Sequence, residues 1–547
     1  MRRPTLTLIV CSLLAPTGSL LAGDLNPPAG PVAPTHKTLT EVEPRTPLSQ
    51  ANVPIVINSR GSYYLTSSLS PTAGGQVAIT INSSEVSLDL SGFTIANSVS
   101  QGFSTGILIT GARESVSISN GVVRGATSNG INTSAAEGVA LTDLRVNSCG
   151  NNGILTGVGA VLTRCVSSGN FSDGFETGAS NTLSECIASG NNANGFDLGT
   201  ANTVRACGAT GNIGRGFSAG SRVTIVGCSA ENNGGIGIST GSACVVSDCS
   251  AATNGAEAGI FLGNASTARN CTSQSNAGGG FDSTPAGLSS FLNCTALQNG
   301  TFGFNVSDSS SATGCTSSFN ATNGFSASAD AVLTDCTSTF NEGKGYDTGS
   351  ACALTRCTAS NNASFGFDVG EATSLDGCTA RNNGDSGFNL GLSCRASKCM
   401  SRDNDGAGFF TAENCTMTEC TAYSNNGGVQ SGDGFLLAVG SSTHNCTATA
   451  NADTGIESFG RNLIVGCVVR DNLGLGVRLS NVGNRVDSCL MHSNGAFDLR
   501  VDTSGNQVIR NRWSTHTIAN FNAVGTIQNA TDGTNSHSDH PWANFDF

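Results

Sequence analysis

Carboxylates recur at one phase along this 547-residue chain. Glu176, Asp197, Asp282, Asp347 and Asp368, with Asn305 and Asn389 among them, each follow an aromatic residue that itself follows a glycine. Asp385, Asp403 and Asp405 gather in neighbouring turns. Oxygen clusters of this kind suit hard cations, calcium first, and paired carboxylates suit acid–base work on glycosidic bonds. The same column also reads as a solvated polar face that discourages aggregation. No Gly-Gly-x-Gly-x-Asp repeat accompanies it, so calcium is the one ion considered and no other cofactor is expected.

Other chemistry is sparse. A lyase needs a base to take a proton α to a carboxylate and positive groups to hold the developing charge. Lysine occurs only at Lys37, Lys344 and Lys398, so Arg356, Arg395 or Arg402 would have to serve. Each of these also reads as an ordinary solvated strand or turn residue. Asp-Asp and His-Gly pairs are absent, the six histidines are scattered, and His537-Ser538-Asp539-His540 reads as a polar tail. No Cys-x-x-Cys pair points to zinc or redox work. The formal charge of −13 without a basic stripe argues against nucleic acid as a partner. No apolar run is long enough to span a membrane.

The elements that would position these residues are set by a repeat. Cysteine recurs from Cys165 through Cys186, Cys207 and Cys228 to Cys489, almost always every 21 residues. Five residues after each of these cysteines stands an asparagine, beginning with Asn170, Asn191, Asn212 and Asn233. Large apolar residues such as Phe175, Phe196 and Phe217 hold a third phase. A fixed period of this length is the mark of a solenoid. Coils stacked about 4.8 Å apart would lay identical residues over one another. Cysteine, phenylalanine and leucine columns then fill the core. Asparagine suits the turn column because it tolerates left-handed backbone and its amides can bond along the stack. Glycine and asparagine at this density exclude a helical solenoid. The cysteine ladder reads as small buried apolar residues. Cys394 and Cys415 share a separate phase, and stacking would bring them within disulfide range.

The chain divides accordingly. Residues 1–22 read as a signal peptide, with Arg2 and Arg3 ahead of an apolar run. A proline-rich leader covers 23–53, an N-terminal cap with first coils 54–146, the repeats 147–515, and a C-terminal cap or tail 516–547. The coils are nearly free of insertions. The largest, Asn426 to Asp433, adds five residues between Cys420 and Cys446.

The unbroken asparagine column resembles the right-handed parallel β-helix superfamily, the pectin-lyase-like fold. Gly61-Ser62-Tyr63-Tyr64-Leu65, Leu88-Asp89-Leu90-Ser91-Gly92 and Ser119-Asn120-Gly121-Val122-Val123 look like its first coils. The leader Asp24-Leu25-Asn26-Pro27-Pro28 and the tail Pro541-Trp542-Ala543-Asn544-Phe545 resemble exported bacterial β-helix proteins of the planctomycete kind. The resemblance implies an all-β, single-stranded, right-handed solenoid of about 20 coils. It implies a polysaccharide or cell-envelope glycan as partner, because enzymes of that superfamily mostly cut polysaccharides. The Asp-Pro-His-Glu signature of the related epimerases is absent. The expected function is therefore a secreted or cell-surface structural or carbohydrate-binding scaffold. The alternatives are a polysaccharide lyase or glycoside hydrolase with a divergent site on one face, and an adhesin.

Overall fold

A computed structural model describes residues 43–97, 102–255, 257–428 and 431–514, together with the short strands Ala530–Thr531 and Asn544–Asp546. The chain divides into two units, Met1–Arg45 and Thr46–Phe547. The segment expected as a signal peptide lies outside the described residues, as does nearly all of the expected tail. The second unit is an all-β parallel solenoid of about 22 turns, slightly more than the repeat count foretells. Among the described residues the only helix is a 3-10 turn at Gln50–Asn52.

One coil shows why the sequence folds this way. Phe325–Ala327, Val332–Thr334 and Thr337–Thr339 are three-residue strands. In each, alternate side chains point to opposite faces. Phe325, Ala327, Leu333 and Ser338 are therefore buried, while Ser326, Thr337 and Thr339 face out. The next coil repeats the set in parallel register: Phe325 pairs with Tyr346, Leu333 with Leu354, and Ser338 with Ala359. The first strand of the solenoid, Thr46–Leu48, pairs with Tyr63–Leu65 and so lies within the stretch expected as leader.

Two columns make the corners. Asn320 N–H and Nδ2 both donate to Oδ1 of Asn341, at 3.0 and 2.9 Å. Asn341 Nδ2 in turn reaches back to Ser338 Oγ at 3.0 Å. The ladder begins where Cys149 N–H donates to Asn170, and it closes where Asn494 donates to Asp498 Oδ1. Each buried amide thus satisfies a backbone group that a sharp corner would otherwise orphan. The left-handed residue is not the asparagine itself, contrary to expectation. It is the residue before it, for example Gly169, Asn232, Phe319, Phe340 or Asn361. Asparagine is selected for its amide and the preceding residue for its backbone.

The core is a set of stacked columns. Rings from Phe281 through Phe304, Phe325, Tyr346, Phe367, Phe388 and Phe409 to Phe435 lie parallel, with centroids 4.6 to 5.0 Å apart. The glycine before each ring is obligatory where backbones meet: a Cβ on Gly345 would stand 2.5 Å from the Gly366 carbonyl oxygen. All 21 cysteines among the described residues are buried free thiols. Cys394 and Cys415 do stack, but no bridge joins them. Cys394 Sγ donates to the Gly370 carbonyl at 3.1 Å and Cys415 Sγ to Gly391 at 3.0 Å.

Candidate functional site

The strands that carry the aromatic column inward carry another column outward. Its register runs Glu176, Asp197, Ser218, Ser239, Phe261, Asp282, Asn305, Ser326, Asp347, Asp368, Asn389, Phe410, Leu436, Glu457, Arg478 and Arg500. The carboxylate column read from the sequence is therefore real, outward and partly exposed.

Of its two adjacent acid pairs, Glu176–Asp197 and Asp347–Asp368, the second is not free to act as a pair. Lys344, just ahead of Gly345, sends Nζ to Asp347 Oδ1 at 3.0 Å and to Asp368 Oδ2. Burial opposes the charge on Lys344, but the two carboxylates outweigh it and hold its pKa above the usual lysine value. Asn323 and Asn389 donate to the remaining oxygens, at 3.1 and 2.8 Å. The result is a clamp over two coils in which one lysine offsets half the charge of two carboxylates. Asp385 accepts from Ser386 N–H at 2.7 Å, and Asp403 pairs with Arg402 at 3.1 Å. Asp405 stands exposed beside the asparagine column. Among the described residues no three His, Cys, Asp or Glu side chains gather as a metal-ligand set.

The arginines proposed for lyase chemistry sit elsewhere on the coil. Arg356 makes a two-point pair with Asp335, at 2.7 and 2.8 Å, at the corner between the other two strands. Arg395 opens an outward position on the strand Arg395–Ser397. Neither shares the face of Asp347 and Asp368.

Two features of this face escape the sequence reading. Arg215, Ile236, Ser239, Glu257 and Phe261 line a shallow, open depression of about 330 Å³. Phe261 is outward because Gly259 and Ile260 continue the strand Ala258–Phe261 and put the aromatic one place later than usual. Its signal was a phenylalanine at the phase where other coils carry Asp or Ser. Towards the C-terminus, Arg478 bridges Glu457 at 3.0 Å and Asp502 at 2.9 Å, and Arg500 holds the other oxygen of Asp502 at 2.6 Å. This is a balanced, half-buried network of two acids and two bases.

A family model described as a right handed beta helix region matches residues 178–291 and 331–465. Solved structures similar to the chain include a mannuronic acid specific polysaccharide family 6 lyase from human gut microbiota. It is 11% identical with TM-score 0.28, over 70% of this chain and 86% of that one. Pectate lyase Pel9A is 13% identical with TM-score 0.17, over 63% and 80%. The A-module of the Azotobacter vinelandii mannuronan C-5 epimerase AlgE4 is 12% identical with TM-score 0.17, over 83% and 87%. Among curated proteins none matches. The fold is a parallel β-helix, and the two matched stretches correspond to a right handed beta helix region. No helix among the described residues is long and apolar enough to cross a membrane.

Proposed function

We propose that this right-handed parallel β-helix is a noncatalytic glycan-binding scaffold, exported to the cell surface or beyond. The observation that carries the reading is the outward column on the aromatic-bearing sheet. It repeats polar side chains at most coils, about 4.8 Å apart, close to the advance of one sugar ring along an extended chain. The depression at Phe261 supplies an apolar surface beside a cation, an acid and a hydroxyl, the mixture that recognises sugars through C–H faces and hydroxyl edges.

Three of the candidate catalytic groups are otherwise engaged. Asp347 and Asp368 share one lysine, and Arg356 is held by Asp335. Many shallow contacts along a repeating face give avidity without a deep pocket. A glycan-array screen of the exported chain, with product analysis on acidic and neutral polysaccharides and calcium varied in both, tests the reading. Binding without cleavage that weakens in Phe261→Ala supports it. Unsaturated or new reducing-end products would establish a lyase or hydrolase instead.

A further inference from the structure

The corner residue ahead of each ladder asparagine has a left-handed backbone, with φ near +55°. Most coils put Gly, Asn, Ser, Thr or Asp there, as at Gly169, Gly190, Gly211, Asn232, Thr253, Asn361, Asn382 and Asp403. Two successive coils put phenylalanine: Phe319 with φ 54° and Phe340 with φ 54°. A bulky side chain in this region is a genuine outlier and carries backbone strain. Both rings are also about half exposed, at 53% and 48%, and they stack at 5.1 Å with planes 5° apart. Mutual stacking offsets part of the strain. It does not account for two phenylalanines left in water.

The adjoining strands supply the second observation. Thr272, Thr295, Thr316, Thr337, Thr358 and Thr379 form an unbroken outward column, one hydroxyl per coil. Two residues along the same strands, Ser318, Thr339 and Ser360 form a parallel row in which Ser318 and Ser360 are buried and only Thr339 is partly exposed, with Ser360 Oγ donating to Thr339 Oγ1 at 3.2 Å. From Thr295 to Ser360 no outward residue on these strands is charged. Aromatic rings therefore rise at the edge of a flat, neutral hydroxyl array. Two rings are far too small a patch for a protein partner, which needs on the order of 1,000 Å² of buried surface.

We infer that Phe319 and Phe340, with the partly exposed threonine column of the coils around them, form a binding subsite for an uncharged polysaccharide. The rings take the C–H face of a sugar and the threonine hydroxyls take its edges. The four strands around the rings carry no outward charge, and the nearest cation in register, Arg381, lies one coil beyond Ser360. This inference rests on the glycan-binding reading and adds to it a second face and a class of ligand.

The test uses the full exported chain and the variants Phe319→Asn, Phe340→Asn and their double. Asparagine already occupies this corner at Asn361 and Asn382, so these variants keep the backbone. The probes are a neutral β-glucan, a neutral mannan and alginate, with affinities from calorimetry and oligomeric state from light scattering. The expected result is at least tenfold weaker binding of a neutral glycan in the double variant, with unchanged mass and an unfolding midpoint no lower than wild type, while Phe261→Ala retains more of that binding. Wild-type affinity in the double variant would overturn the subsite and leave the scaffold reading standing. Binding of alginate alone would do the same. A loss of self-association in the double variant, with glycan affinity intact, would assign the rings to a second copy of the chain and overturn the inference. No binding of any glycan by the wild type would sink both readings.

Discussion

Replacing Asp433 by asparagine should stabilise the protein at neutral pH and leave it unchanged in mild acid. Asp433 directly precedes Gly434 and Phe435, the place held by Asn152, Asp173, Asn194 and Asn323 in other coils. In each, side-chain Oδ1 accepts the backbone N–H of the next coil; for Asp433 this is Thr454 N–H at 2.9 Å. An amide fills that role without charge. Asp433 is wholly buried, and its Oδ2 has no hydrogen-bond partner among the described residues. Burial first, then the nearby charges of Asp453 and Glu457, push its pKa from 3.8 to about 6, against the opposing pull of Ser431 and Thr454. A raised acid pKa means that the folded state binds the proton more tightly. The contribution is therefore fully favourable below pH 3.8 and is lost as pH rises through about 6. At pH 7.5 the ionised carboxylate costs up to about 3 kcal/mol, from 1.36 kcal/mol per pKa unit. Neighbouring coils unfold semi-independently in a solenoid, so the gain belongs to the coils around residue 433. Hydrogen exchange of residues 433–455 at pH 4 and pH 7.5 measures it directly. The reasoning fails if D433N slows exchange equally at both values, or if it weakens protection at pH 7.5.

Asn341→Ala removes an amide that accepts from Asn320 and donates to Asn362 along the ladder, and it should destabilise the adjoining coils by about 2–4 kcal/mol, read as a lower denaturant midpoint. Gly345→Ala should cost more stability than a surface change, since its Cβ would meet backbone oxygen at 2.5 Å; equal melting would refute the close approach. Asp487 is pushed up by burial, but Arg510 and Arg485 hold it down at about 2. Its stabilisation should therefore persist above pH 4 and fade as pH falls towards 2, a loss that Asp487→Asn abolishes in an acid-unfolding titration. The buried thiols should be inert to a thiol reagent in the native protein and react only after denaturation. Burial pushes Cys149, for one, up to about 11.

Much of this architecture is legible because in a solenoid the sequence offset is the contact map. Residues 21 apart lie in adjacent coils, so the ion pairs Asp143–Arg164 and Asp335–Arg356 are written in the spacing. The Asp347–Asp368 pair was found by that rule. Lys344 was not, because it sits three residues from Asp347 across a bend whose shape the offset does not convey. The corners were assigned to the wrong residue for a related reason. Periodicity marks asparagine as invariant in phase but cannot separate the side chain that bonds from the neighbour that turns. Gly169 gave a hint, since glycine recurs at Gly190 and Gly211 in that place. Once the corner is located, Phe319 and Phe340 become anomalous rather than merely apolar. The chemistry of this scaffold is thus found where a coil departs from its column: Phe261 among Asp and Ser, Lys344 between two acids, and two phenylalanines where the backbone favours glycine or asparagine.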